Sequence, residues 1–347
     1  MTKEELIAVA LQFRIQKLWE ELDDSMTFGV RLPDGETGYC CVMGNGGQHY
    51  ALGLYKGVSG FSTYINSVNR APGTDSFEMF MTYDCMNCDY ENASESNLTS
   101  AQKKQIRTVA NECHIKMCRP NGYPEFIRYD RGVIRTELND EEMSDLGIAL
   151  KAGIEVASRV KGMTLAELGK FGFGEDGYYP SPAGGDRIPM LEMQADGSFK
   201  WSVTVTPKAN DTSFSTPLFS NILATGRLKT MPCVGAFQCK VLHMHAPVKN
   251  KEGVFYPLLM VLVNDEGMMY PVMQKSNDPH AEEELLNQLA FTLISMESYP
   301  DAFFVDDAYS EAFLKDFCKK TGIKLKKVGY LPELEEVVHM LRSQFGR

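Results

Sequence analysis

The pattern of apolar and polar positions is organised around residues 231–330, which read as three strands, a helix, a strand, a helix and a last strand. Residues 235–248, 255–264 and 268–274 are apolar, β-branched runs separated by turn signals, and they read as three consecutive strands. Residues 279–296 carry apolar positions at helical spacing. Asp278 stands ready as N-cap, and Pro279 falls at the first helical position, where its missing N–H costs nothing. Residues 302–305 form a short buried strand, 310–321 a second helix ended by Gly322, and 323–328 a last strand. Pro332 then opens a helix over 332–345.

Three antiparallel strands followed by alternating helix and strand predict a mixed α/β (α+β) sheet with helices on its faces. That is the element order of the ribonuclease H-like fold, which says little about chemistry by itself. The first half shows a weaker version of the same order. Its helix over 3–22 has Ile7, Leu11, Leu18 and Leu22 on one face, and Thr2 with Glu5 makes a capping box. Strands follow at 26–32, 37–43 and 48–55, divided by Pro33-Asp34-Gly35 and Gly44-Asn45-Gly46-Gly47. A helix over 60–68, a strand at 77–82, a helix over 100–114, a strand at 125–129 and a long helix over 139–160 come next. Residues 188–194 and 199–207 flank Ala195-Asp196-Gly197-Ser198 and predict a hairpin. The expected division is an N-terminal α+β domain over 1–215 and a C-terminal ribonuclease H-like domain over 216–347. The first domain is a candidate duplicate of the second.

Charge and cysteine content narrow the function classes. A net charge of -11 over 347 residues argues against a nucleic-acid binder, which must neutralise phosphates with Lys and Arg. No apolar run reaches the roughly 18–20 residues that a membrane span needs, and no signal peptide is visible. The nine cysteines, an odd number without a secretion signal, fit free thiols in a reducing cytoplasm.

Three groups of residues carry candidate chemistry. Ribonuclease H-like enzymes hold divalent ions such as magnesium with carboxylates from the first strand, the first helix and the fourth strand. Asp306 and Asp307 end the fourth strand here, and Glu282, Glu283 and Glu284 open the helix before it, so Asp306, Asp307 and Glu283 are the catalytic candidates. The first strand offers no carboxylate between 235 and 248; it offers His243 and His245, two apart on one face. The competing structural role for the aspartates is to cap the following helix, and for the glutamates to favour the positive end of theirs. The second group is Cys85-Met86-Asn87-Cys88 with Cys113 and Cys118, a loose tetrahedral zinc set whose second pair is spaced four rather than two; buried inert thiols are its commoner counterpart. The third comprises two surface features. The Gly- and Tyr-rich segment 172–185, with Tyr178 and Tyr179, suits a linker or a partner-binding loop. Lys315, Lys319, Lys320, Lys324, Lys326 and Lys327 suit a solvated helix end or an acidic partner.

Tyr39-Cys40-Cys41-Val42-Met43-Gly44, Tyr50-Ala51-Leu52-Gly53-Leu54-Tyr55-Lys56-Gly57 and Tyr123-Pro124-Glu125-Phe126 resemble the signature of an uncharacterised bacterial family. The second half resembles a companion domain of unknown function. The resemblance implies a bacterial cytoplasmic protein and supplies no activity, substrate or catalytic residue; the cysteine pair at 85 and 88 stands outside it. The expected function is non-catalytic binding or regulation of a protein or small-molecule partner, through a groove between the domains and without a cofactor. The alternatives are a divalent-metal-dependent nuclease and a zinc-stabilised interaction module.

Overall fold

The computed structural model describes residues 1–69, 82–92, 94–130, 136–175, 177–210, 214, 216–244, 246–250, 253–264, 269–274 and 280–345. The chain divides into two compact units. Described residues up to 210, Thr82 excepted, form the first, and those from 214 onward belong to the second.

The first unit is built on a seven-stranded sheet of β1 (Phe28–Arg31), β2 (Thr37–Met43), β3 (Tyr50–Lys56), β4 (Cys85–Glu91), β5 (Tyr123–Tyr129), β6 (Arg187–Met193) and β7 (Phe199–Val205), in the order β5-β4-β3-β2-β1-β6-β7. Every neighbouring pair is antiparallel except β1 with β6. The two sheets agree in part: in each, a later strand lies parallel beside the first strand of the antiparallel trio, here β6 beside β1, while in this unit β4 and β5 also extend the meander beside β3.

The central strands β2 and β3 are buried on both faces, which is why they read as continuous apolar runs. On one face Cys40, Val42, Leu52, Leu54, Met86, Cys88 and Tyr90 pack with residues of α1 (Lys3–Gln16) and α4 (Asp140–Val160). Each large apolar side chain so buried contributes ~1.5–3 kcal/mol. Gly153 lets α4 approach α1: a Cβ there would lie 2.5 Å from the Phe13 ring. On the other face α2 (Gly57–Val68) sets Phe61 against Tyr39 and Tyr64 against Tyr55. The predicted capping box of Thr2 with Glu5 forms, Asn139 makes another with Glu142, and Glu167 accepts the Thr164 N–H at the start of the short α5 (Leu165–Lys170).

Two expectations are corrected in this unit. The first helix ends at Gln16, not Leu22, because Lys17 takes a left-handed conformation and a 3-10 turn over Leu18–Glu20 follows. Arg14 explains the stop. Its buried guanidinium lies against both the Trp19 and Tyr50 rings, 4.7 and 4.6 Å from their centroids, and donates to the carbonyls of Asn121 and Pro120. The second correction is β4 itself, a strand that no run or alternation of apolar positions announces. Asn87 and Asp89 break its apolar pattern, yet both are buried inside the sheet. Most of the expected strand at 77–82 lies outside the described residues.

The second unit has a five-stranded sheet of β8 (Ala236–His243), β11 (Leu258–Asn264), β12 (Met269–Gln274), β13 (Ala302–Val305) and β14 (Lys324–Lys327), in the order β12-β11-β8-β13-β14. β11 runs antiparallel to both β8 and β12, and β13 and β14 run parallel to β8. A small hairpin, β9 (Val248–Asn250) with β10 (Gly253–Phe255), cuts the expected first strand short. Helices lie on both faces, as the element order predicts. Phe237, Cys239 and Val241 face α7 (Ala281–Ser295) and α8 (Ala308–Thr321) through Leu289, Leu293, Phe313 and Phe317. Leu242, Leu259, Val261 and Val263 face α9 (Pro332–Phe345) through Leu334 and Val338. A short helix, α6 (Ile222–Leu228), joins the first of these cores through Ala224 and Leu228.

Candidate functional site

The parallel pair β8–β13 fixes the site. Gln238 lies opposite Phe304, so two residues further along Lys240 comes level with Asp306, just past the end of β13. With side chains alternating, Gln238, Lys240 and Leu242 share the face that α9 covers. Lys240 Nζ donates to both carboxylate oxygens of Asp306 at 3.1 Å and to Glu335 of α9 at 2.7 Å, and lies 4.0 Å from Asp307. The Lys240 and Asp306 side chains are only 16% and 8% exposed, so this ion pair is largely removed from water. Burial alone would lower the Lys240 pKa, but the bond from Glu335 and the charge of Asp306 outweigh it and hold the ammonium above its usual range. Gln238 completes the docking of α9: it donates to Glu333 at 2.8 Å and accepts from the Leu334 N–H.

Asp307 has a different partner. It is the N-cap of α8, accepting the Ser310 N–H at 2.7 Å and the Ser310 hydroxyl at 2.8 Å. That hydroxyl in turn accepts the Val241 N–H at 2.9 Å, tying the helix start to β8. Glu283 stands apart from both aspartates and accepts the Ser220 hydroxyl at 2.6 Å. The structure thus joins Asp306 and Asp307 around Lys240, leaves Glu283 outside, and adds two residues that the sequence reading overlooked, Lys240 and Glu335. Lys240 was legible as the one lysine inside a largely apolar strand; Glu335 was not, because its place depends on how α9 packs.

Cys85 and Cys88 are three apart on β4 and therefore point to opposite faces of the sheet. Both are buried, and burial pushes both thiols well above their usual range. Cys113 is exposed at the C-cap of α3 (Ser100–Glu112), and Cys118 is half-buried in the loop beyond. Among the described residues no three His, Cys, Asp or Glu side chains gather where they can share a metal ion. His243 is buried, its ring stacked on Tyr309 at 6.2 Å; His245 lies outside the described residues. Gly44–Gly47 is the β2–β3 turn, with Gly44 and Gly47 at positive φ. The lysine cluster is partly paired, Lys320 with Asp316 and Lys327 with Glu311.

Gly177 and Tyr179, from the segment 172–185, are fastened to the turn that precedes β1. Gly177 N–H donates to the Ser25 hydroxyl, and Tyr179 donates to Asp24 at 3.0 Å. Burial, with the Asp23 carboxyl beside it, raises the Asp24 pKa.

Residues 4–170 match the family model of a domain of unknown function, DUF7309, and residues 226–342 match that of another, DUF6930. The chain is a two-domain protein of this uncharacterised kind. The lysine–carboxylate cluster lies wholly within the DUF6930 match, and β4 with its cysteines within the DUF7309 match. No curated protein matches the chain. Among solved structures it is similar to a chain of the simian T-cell lymphotropic virus intasome in complex with PP2A regulatory subunit B56 gamma. That likeness has 14% identity and a TM-score of 0.23, over 33% of this chain and 43% of that one. Among the described residues of both domains, no helix is long and apolar enough to cross a membrane.

Proposed function

We propose that the chain is a non-catalytic binding or regulatory protein of the cytoplasm, whose DUF6930 domain follows the ribonuclease H-like plan. The strand order supports the plan: an antiparallel trio, with the fourth strand laid parallel beside the first and the fifth parallel beside the fourth. The nine cysteines, all free, support a reducing compartment. The net charge of -11 favours a protein or small-molecule partner over nucleic acid.

One observation carries the non-catalytic reading. An ion-binding crest needs carboxylates with uncompensated charge, and here the ammonium of Lys240 already bonds to Asp306 and Glu335. Asp307 is committed to the α8 cap. A divalent cation would have to displace a buried lysine, and like charges in a low-dielectric site repel strongly. Calorimetric titration of the full chain with magnesium and with manganese checks this, alongside a nuclease assay in each metal. No saturable heat and no cleavage are expected. Metal-dependent cleavage lost in Asp306→Asn would establish the enzyme instead.

A further inference from the structure

The strand β7 closes one end of the first unit's sheet, and among the described residues no strand pairs with its outer edge. Its inner edge can be read from the hydrogen bonds. Thr206 N–H donates to the Asp186 carbonyl, Gly185 N–H to the Thr206 carbonyl, and Gln194 N–H to the Ser198 carbonyl. Bonded and non-bonded pairs alternate along an antiparallel ladder, so the even-numbered residues turn their backbone groups toward β6. Pro189, which has no N–H, sits opposite Val203, as a non-bonded position allows. The N–H and C=O groups of Trp201, Val203 and Val205 therefore point outward. The Val203 and Val205 side chains beside them are 41% and 61% exposed. The edge strand β14 of the second unit, by contrast, carries Lys324, Lys326 and Lys327, the usual guard against pairing.

We propose that β7 is a self-pairing edge, through which two copies of this chain join antiparallel about a two-fold axis at Val203. That register sets Val203 opposite itself and Trp201 opposite the partner's Val205, an aromatic and β-branched pairing that sheets favour. All three pairs fall where both outward groups meet, so each exchanges two N–H···O bonds. The charges agree with this register. Lys200 comes opposite the partner's Thr206 rather than another lysine. It lies in a row with Glu192 of its own β6 and, beyond that threonine, with the partner's Asp186. The contact is isologous, so it closes at two copies.

Sedimentation equilibrium of the full chain tests the pairing. The wild type is expected to be dimeric. Val203→Lys, which sets two ammonium groups face to face across the axis, is expected to raise the dimer dissociation constant at least about tenfold. Val203→Pro removes one outward N–H and no bond to β6, so it weakens the dimer while keeping the fold, as judged by circular dichroism. A wild type that stays monomeric over the whole concentration range overturns the proposal. So does a dimer indifferent to both substitutions.

Discussion

Lys240 is the residue on which the second domain's chemistry turns. A cation inside an apolar strand is costly unless it is paired, and Asp306 and Glu335 supply the pairing. Lys240→Met leaves the Asp306 carboxylate buried without its partner. Breaking a buried pair from one side costs roughly 3–5 kcal/mol, which chemical denaturation of the variant should show. The pH dependence has a definite sign. The folded-state pKa of Lys240 is raised, so its contribution is complete below the ordinary lysine value and fades as pH climbs through the raised one. The wild type should therefore lose stability in strong alkali, and the methionine variant should lose less over the same window.

At the scale of elements, caps decide where helices begin. Asp307, Asn139 and Thr2 each accept an N–H of the first turn. If Asp307 acts only as a cap, Asp307→Ala should cost ~0.5–2 kcal/mol and Asp307→Ser should restore most of it, since serine caps about as well. Thermal unfolding of the two variants distinguishes this from a metal-ligand role, in which serine would not rescue. These starts were legible in the sequence because a cap and its partner lie three residues apart. The end of α1 was not, because Arg14 finds the Tyr50 ring and the 120–121 carbonyls only after the chain has folded back.

The whole molecule shows itself in its thiols. Cys113 and Cys233 are exposed, Cys118 is half-buried and the other six are buried. Burial raises the pKa of the Cys41 and Cys318 thiols to about 12, so they stay protonated and unreactive at neutral pH. Titration with a thiol reagent should show two fast groups and one slower, with the remaining six released only by denaturant. A stoichiometric zinc ion holding Cys85 and Cys88 would instead keep those two unreactive until a chelator was added.

Most of the local order was legible in the sequence: the first three strands of each unit, the capped helices, the hairpin at 187–205 and the element order of the second half. These follow from periodicity, turn residues and caps, all of which act over a few positions. Which strands are neighbours was settled by long-range packing. It put β4 beside β3 and β13 beside β8, split the Cys85–Cys88 pair across a sheet, and brought Lys240 and Glu335, 95 residues apart, into one ion pair. Such pairings depend on which apolar faces meet when distant segments pack, and no pattern within a short window of sequence records that.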